Sequence, residues 1–267
     1  MEIWHRVSFS KKDNVKECLD ANSISYKEAL LPGDSYMLTI EIKETDADWS
    51  IIKPLIKLNT FDFVWTEFTI DEIKNAMWSL VRPSFSIGSP VGNPWDSVEN
   101  RCDSCGVGWK QTHPIYLKKE PNMKGNAFAS FHGGFELLGA SNIIQILKEE
   151  KVNGFQEIDL LIKSSNLSSP SVKFISVLKV ANPGYVNINT KQHLCPICNN
   201  TWFDFHKLGN FRIGKNTFEK TLDFQLTNEW FGSGRAARRE IICSSKFVNL
   251  ALENKWKGLQ FIPVIVD

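Results

Sequence analysis

Two Cys-x-x-Cys pairs, Cys102 with Cys105 and Cys195 with Cys198, are the residues of this sequence best suited to chemistry. This spacing lets two thiolates of one tight turn point toward a common position, while backbone N–H groups of the turn donate to the sulfur atoms. Two such turns facing each other would place four sulfur atoms at the corners of a tetrahedron, the geometry of structural Zn²⁺ sites. The sequence therefore predicts one Cys₄ zinc site, and a redox dithiol in either pair stays open as the alternative.

The two pairs are far apart in the chain, because residues 106–194 lie between them. That connection is much longer than the loop of a zinc finger, so the metal would join segments that a whole subdomain separates. In each motif a tryptophan, Trp109 or Trp202, stands four residues after the second cysteine. A tetrahedron filled by four cysteines leaves no position for a catalytic water, which predicts a structural zinc and a protein that is not an enzyme.

The doubled motif, together with residues 135–138 and the C-terminal stretches 241–247 and 257–263, resembles the bacterial double-CXXCG motif family. The similarity covers roughly residues 98–264 and leaves the first hundred residues outside. It implies an immunity protein of a contact-dependent toxin system, which would bind a cognate protein toxin and neutralise it by occlusion. Asn199 stands where the second motif of the family has glycine, but asparagine is the next-best residue at positive φ, so the turn is expected to be retained.

Composition indicates a folded chain. Its 267 residues, 42% hydrophobic and 12% aromatic, can bury a large core in one or two domains. The net charge of +1 argues against a general nucleic-acid binder with a basic surface. No apolar run approaches the roughly 18–20 residues that span a bilayer, and the N-terminus has no secretory pattern. We therefore expect a cytoplasmic protein without a membrane partner.

Charge is distributed unevenly, with acidic residues in excess up to residue 80 and basic residues in excess beyond it. Four carboxylates form an acidic run, made of Glu41, Glu44, Asp46 and Asp48. Such a cluster could steer a basic toxin toward its binding surface, which makes these residues candidates for partner binding. The simpler alternative is a solvated strand edge followed by a helix start.

A basic segment supports a competing hypothesis from another class of protein. Arg235, Arg238 and Arg239 follow a Gly-Ser-Gly sequence and could contact an anion, which would suit a zinc-stabilised nucleic-acid-binding module. A solvated basic turn is the alternative. His113, His132 and His193 are the best-placed general bases, but ordinary hydrogen-bonded or surface histidines explain them better, so no catalytic residue is assigned.

The order of predicted elements gives an α+β fold. Strands alternate with helices through residue 80, which indicates a small α/β layer, and a Pro/Gly-rich stretch then suggests a boundary at about residue 90. We therefore predict an N-terminal α/β domain over 1–90 and a larger mixed α/β domain, joined by the Cys₄ zinc site, over 91–267.

Individual elements follow from caps and periodicity. A capping box at Thr69 predicts a helix that continues to Leu80. Ser141 and either Ser244 or Ser245 are predicted to cap two further helices, and residues 155–163, 171–180 and 259–266 are predicted to form strands.

Overall fold

A computed structural model describes residues 1–10, 15–31, 35–56, 60–92, 97–112, 114–132, 134, 136–186, 190–232 and 235–267. Helices and mostly antiparallel sheets occur together, which agrees with the predicted α+β class. Within these ranges, no helix combines the length and the apolar character needed to cross a membrane. The contacts divide the chain into two compact units, Met1–Thr69 with Lys207–Gly209, and Ile70–His206 with Asn210–Asp267.

The first unit contains one four-stranded sheet in the order β2-β3-β1-β4, and every neighbouring pair is antiparallel. Helix α1 connects β1 to β2, and helix α2 with a short 3-10 turn connects β3 to β4, giving the βαββαβ order of ferredoxin-like folds. The elements are β1 (Glu2–Ser10), α1 (Val15–Ala21), β2 (Lys27–Leu31), β3 (Ser35–Lys43), α2 (Trp49–Ile52), the 3-10 turn (Lys53–Leu55) and β4 (Phe61–Glu67).

Alternation along the strands decides which face of this sheet is buried, because successive side chains of a strand point to opposite faces. Val7 and Phe9 of β1 pack with Ile40 of β3 in a core that also contains Leu19 of α1 and Ile52 of α2. Both helices therefore cover the same face of the sheet. The intervening residues of β1 and β4 point to the other face.

The second unit contains two five-stranded sheets, ordered β8-β11-β12-β10-β9 and β15-β18-β5-β17-β16, and two short hairpins, β6-β7 and β13-β14. The elements are α3 (Ile70–Asn75), β5 (Trp78–Pro83), β6 (Val98–Glu99), β7 (Lys110–Gln111), β8 (Ile115–Leu117), β9 (Phe128–Ala129), β10 (Leu138–Ala140), α4 (Ser141–Glu149), β11 (Phe155–Ile162), β12 (Leu167–Val177), β13 (Gln192–Leu194), β14 (Thr201–Phe203), β15 (Phe211–Ile213), β16 (Phe224–Leu226), β17 (Ile241–Ser244), α5 (Ser245–Glu253) and β18 (Leu259–Val266). Helices α4 and α5 supply Leu147 and Phe247 to a core that also holds Phe128 and Phe224.

Strand β5 shows where the sequence-based prediction was wrong. The helix that begins at Ile70 ends at Asn75, and Leu80, which was expected to continue it, lies instead in β5. Residues Trp78 to Val81 are all buried, as in a strand covered on both faces, and a short apolar run of this kind cannot be distinguished from a buried helix by periodicity.

The position of β5 also bears on the division of the chain. This strand pairs with β17 on one side and β18 on the other, so residues 78–83 belong to the same sheet as the C-terminal part of the chain. The contacts accordingly separate the two units at Thr69 and Ile70, earlier than the boundary predicted at residue 90.

Several local predictions are confirmed. Strand β18 covers Leu259–Val266, as predicted. Helix α4 begins at Ser141, but Ala140 is its N-cap and no side-chain capping hydrogen bond is made, so the cap predicted at Ser141 is wrong. Ser244 is the N-cap of α5, since its hydroxyl accepts a hydrogen bond from the Phe247 backbone N–H at 3.4 Å. The sequence also predicts a capping box of Ser10 and Asp13 for the first helix, but Asp13 lies outside the described residues.

A buried ion pair joins β5 to the segment that precedes β17. Glu240 is only 2% exposed, and its carboxylate accepts hydrogen bonds from Arg82 Nε at 3.2 Å and Arg82 Nη2 at 2.8 Å. A nitrogen of the Arg238 guanidinium lies 3.8 Å from the same carboxylate. Burial by itself would raise the pKa of Glu240, but the positive charges of Arg82 and Arg238 outweigh it and lower the pKa.

Candidate metal centre

The first cysteine pair lies in the turn between β6 and β7. Cys102 donates its backbone N–H to the Val107 carbonyl at 2.9 Å, and Gly106 donates to the Cys102 carbonyl at 2.7 Å. Gly106 has φ of +84°, which a residue with a side chain adopts only with strain. The position immediately after the second cysteine of this motif therefore favours glycine.

The second cysteine pair lies in the turn between β13 and β14 and repeats the same hydrogen bonds. Cys195 donates to the Asn200 carbonyl at 2.9 Å, and Asn199 donates to the Cys195 carbonyl at 3.0 Å. Asn199 adopts φ of +56°, so the prediction that asparagine retains the turn is confirmed. The two motifs thus form two matching hairpin turns.

The two turns face each other and bring the four sulfur atoms together. Cys102 Sγ lies 3.8 Å from Cys195 Sγ, and Cys105 Sγ lies 3.6 Å from Cys198 Sγ. All four sulfur atoms lie within 4.8 Å of one another. A tetrahedral site with Zn–S bonds of about 2.3 Å requires sulfur atoms about 3.8 Å apart, so the donor type, the number of donors and their spacing fit one tetrahedral metal ion.

Apolar side chains enclose the cysteine cluster. Cys105 and Cys195 are fully buried, and Trp202 and Trp230 pack against the cluster. The Trp109 indole N–H donates to the Ala237 carbonyl at 3.0 Å. The tryptophans that follow the two motifs therefore stabilise the hairpin turns, Trp109 through a hydrogen bond and Trp202 through packing.

The surroundings shift the thiol pKa values in opposite directions. A hydrogen bond from the backbone N–H of Cys105 is the main cause that lowers the pKa of Cys102. In the second turn, the backbone N–H of Cys198 is the main cause that lowers the pKa of Cys195 to about 6. Burial raises the pKa of Cys105 to about 12. The turns thus stabilise thiolates at two positions, whereas a buried thiolate at Cys105 needs a neighbouring cation. This is the donor chemistry of a metal site, and metal binding there should weaken on acidification because protons compete for the sulfur atoms.

Ala237 is a functional neighbour that the sequence analysis missed. It is fully buried in the cysteine cluster, and its backbone N–H donates to the Cys105 carbonyl at 3.2 Å. A Cβ on Gly106 would lie 2.5 Å from the Arg235 carbonyl oxygen of the same segment. An alanine far from either motif has no sequence signal that would connect it with the site.

Substituting Gly106 by alanine tests how closely this segment holds the first turn. The variant combines backbone strain at positive φ, which typically costs about 1–3 kcal/mol, with a collision against the Arg235 backbone. We expect a lower thermal midpoint and weaker metal retention in a chelator titration. Gly125→Ala is the matched control, because Gly125 also has positive φ, +76°, but no described residue has an atom within 4 Å of an added Cβ. Equal losses in the two variants would contradict the close contact.

The acidic run lies in the first unit, and each of its four residues is exposed. Glu41 accepts a hydrogen bond from Arg6 Nε at 2.8 Å, and Glu44 lies 3.2 Å from His5 Nε2. Asp46 accepts the backbone N–H of Lys43 at 2.9 Å. Asp48 is the N-cap residue of α2 and makes no side-chain capping hydrogen bond there. Three of the four carboxylates therefore have local structural partners, and their role in partner binding stays a prediction.

The basic segment is engaged mainly in internal contacts. The Arg238 guanidinium lies 4.4 Å from the Phe205 ring centroid, and burial lowers its pKa to about 9. Arg239 lies over the Trp230 ring at 4.8 Å and donates to the Thr227 carbonyl at 2.9 Å. Of the three arginines proposed for an anion site, only Arg235 is exposed, while Ser233 and Gly234 lie outside the described residues.

The candidate histidines have ordinary partners where they are described. His132 Nδ1 lies 2.8 Å from the Ser86 hydroxyl, and His193 Nε2 lies 2.8 Å from an Asp204 carboxylate oxygen. His193 also stacks on Trp202, next to the second cysteine turn but outside the four-sulfur cluster. His113 and residue Phe135 of the resemblance lie outside the described residues.

The chain matches no protein-family model, and no curated protein is detectably similar to it. The resemblance to double-CXXCG proteins therefore rests on the motifs and the C-terminal stretches alone.

Proposed function

We propose that Cys102, Cys105, Cys195 and Cys198 bind one Zn²⁺ as a structural ion. The observation that carries this proposal is the close approach of four sulfur atoms from two matching turns, at the spacing of a tetrahedral thiolate site. Because four sulfur donors fill the tetrahedron, no position remains for a water or a substrate. The ion would therefore brace the fold and would not catalyse a reaction.

Iron is the competing metal, because tetrahedral four-sulfur sites hold either zinc or iron. We favour zinc because a purely structural role needs no change of oxidation state, and zinc is redox-inactive. Absorption spectroscopy separates the two metals. Zinc has a filled d shell and leaves the protein colourless, whereas an iron–thiolate centre would absorb visible light.

For the whole chain we propose the role of a bacterial immunity protein. It would bind a cognate protein toxin in the cytoplasm, where thiols stay reduced and available to zinc, and would block the toxin by occlusion. The resemblance of the doubled cysteine motif supports this role, and a structural centre that joins distant segments suits a rigid recognition surface. A stable complex of this kind buries about 1,200–2,000 Å².

The test uses the toxin that the proposal implies, taken as the C-terminal domain of the secreted protein encoded directly upstream of this chain. Co-expression with the wild-type chain should restore growth to cells that produce the domain, and the two proteins should co-purify as a complex. Cys18→Ser should protect equally well, because Cys18 lies outside the four-sulfur cluster. Unrelieved toxicity in cells that contain folded wild-type protein would reject the immunity role.

A salt-titrated binding assay with DNA and RNA distinguishes the competing nucleic-acid role. Phosphate contacts release counterions, so a nucleic-acid-binding module would show affinity that falls steeply with salt concentration. We expect little binding, since Arg238 and Arg239 are engaged inside the protein. A steep salt slope that disappears in Arg235→Ala would favour the nucleic-acid role.

A further inference from the structure

The outer face of the N-terminal sheet carries an aromatic stripe, formed by Trp4 of β1 and by Phe61, Phe63 and Trp65 of β4. Trp4 is directly opposite Trp65 in the strand register, and Phe61 and Phe63 extend the stripe along β4. Phe61 is 79% exposed and Phe63 is 64% exposed. Large aromatic side chains are thus displayed on the face that α1 and α2 do not cover.

Contacts within the aromatic stripe make it an ordered surface. The Trp4 and Trp65 rings stack at a centroid distance of 5.9 Å and an interplanar angle of 9°. Phe63 packs against Trp65 at 5.8 Å, and Trp65 donates its indole N–H to Glu67 at 3.0 Å. Contiguous exposed apolar patches on folded proteins mark interaction sites, and preordered aromatic rings lose little conformational freedom on binding.

An acidic border lies at one end of the aromatic stripe, where β1 begins and β3 and β4 end. Its members are Glu2, Glu44, Asp46 and Glu67. Lys43, the base next to them, pairs with Glu2 at 2.8 Å, so the border retains an excess of negative charge. A docked partner with complementary charge would present basic residues at this end of the sheet.

Two rings of the aromatic stripe make cation–π contacts with basic side chains of the same chain. Lys43 Nζ lies 4.7 Å from the Trp4 ring centroid, and the Arg6 guanidinium carbon lies 5.9 Å from the Trp65 ring centroid. Such cation–π contacts show that lysine and arginine side chains fit against this face. The more exposed rings of Phe61 and Phe63 offer the same kind of surface to side chains of another molecule.

We propose that the aromatic stripe and its acidic border form the docking surface for a basic protein. Apolar side chains of the partner would cover Phe61 and Phe63, and its lysine or arginine residues would face the acidic border. This inference rests on the proposed immunity function for the partner's identity, because it assigns the toxin-binding surface of the chain. The surface keeps Glu44 and Asp46 of the acidic run as part of its border and places the apolar part of the contact on the neighbouring aromatic stripe.

The charges favour a protein over a nucleic acid. Exposed aromatic residues on a four-stranded sheet can stack on nucleic-acid bases, but the binding grooves that do so are lined with free positive charge. Here Arg6 pairs with Glu41 and Lys43 pairs with Glu2, and the carboxylates of the acidic border would repel phosphates. Single-stranded DNA that binds wild-type protein and fails to bind a stripe variant would overturn the assignment.

The first experiment measures affinity of the full chain for the toxin domain defined above. The double variant Phe61→Ser/Phe63→Ser should raise the Kd by at least about tenfold, since exposed aromatic anchors dominate protein interfaces. Leu30→Ser is the matched control, because Leu30 is 84% exposed on β2, at the opposite edge of the same sheet. Unchanged affinity in the double variant, with wild-type binding intact, would overturn the docking surface and leave the immunity function standing.

A second double variant tests whether the charge of the acidic border attracts the partner. Asp46→Asn/Glu67→Gln keeps the hydrogen-bond acceptors used by Lys43 and Trp65 and removes two charges. We expect a slower association rate with the toxin domain and a weaker dependence of that rate on salt, with little change in dissociation. An association rate and salt dependence identical to wild type would show that the partner does not carry the predicted basic surface.

A third experiment does not depend on the toxin. The full chain is titrated with a peptide of alternating lysine and leucine residues and with its glutamate-for-lysine counterpart, while NMR follows the indole N–H signals. The lysine peptide should shift the signals of Trp4 and Trp65, and the glutamate peptide should not. Equal responses to both peptides, no response, or a concentration-dependent dimer that the Phe61→Ser/Phe63→Ser variant abolishes would overturn the proposal. If wild-type protein fails to bind the toxin domain, the immunity function is rejected and this titration alone decides the surface.

Discussion

Protein carrying Cys198→Ser is expected to purify with little zinc and with the second unit unfolded or strongly loosened. Serine removes one of four sulfur donors whose spacing fits a single ion. Apparent binding free energies of structural zinc are about 10–16 kcal/mol, comparable with the whole net stability of a domain, about 5–15 kcal/mol. Loss of one ligand should therefore remove a large part of the stability of the unit. Metal analysis and a thermal melt measure the two effects.

Cys18→Ser is the control for this experiment. Cys18 is a free cysteine outside the four-sulfur cluster, so this variant should retain wild-type metal content and melt close to wild type. Should Cys198→Ser keep both its zinc and its thermal midpoint, the four cysteines would not be the metal ligands.

Glu240→Gln is expected to destabilise the second unit by about 3–5 kcal/mol, because it leaves buried positive charge without its counter-ion. Glu240 is 2% exposed and receives two hydrogen bonds from Arg82, while Arg238 lies beside it. For a unit of this size the loss corresponds to a fall of roughly 6–20 °C in Tm. Thermal unfolding followed by circular dichroism measures it.

The control is Glu157→Gln, which removes a partner of Lys148 from an exposed ion pair with an N–O distance of 2.7 Å. Exposed pairs contribute about 1 kcal/mol or less, so this variant should melt near wild type. A similar cost in both variants would show that burial does not strengthen the Glu240 interaction.

The effect of Glu240→Gln should also depend on pH. The folded-state pKa of Glu240 is lowered, so the ionised carboxylate stabilises the native protein above the ordinary glutamate pKa of about 4.3. That contribution is lost as the pH falls through the folded-state value. The stability difference between wild type and variant should therefore be full at neutral pH and should narrow on acidification.

The four-cysteine cluster could be predicted from sequence because its requirements are local. A tight turn with two thiolates needs cysteines two residues apart and a residue that tolerates positive φ, and both motifs meet that condition through Gly106 and Asn199. The partner turn could be paired with the first only because no other Cys-x-x-Cys competes for it. The enclosing segment around Ala237 could not be predicted, since its role depends on tertiary contacts.

The fold was less predictable where packing decides the structure. Strand β5 is buried on both faces, so its apolar run carried no strand periodicity and was assigned to the preceding helix. Strand β2 was missed because it is an exposed edge strand without alternating apolar residues. Conversely, α5 and β18 were predicted well, because a serine cap and a run of β-branched residues mark them locally.

Zinc content and coordination of the wild-type chain, purified under reducing conditions without chelators, test the central claim most directly. Elemental analysis with X-ray absorption spectroscopy should find one zinc ion per chain, surrounded by four sulfur atoms at about 2.3 Å. Protein that folds with no bound metal, or a metal shell with fewer than four sulfur atoms, would contradict the account.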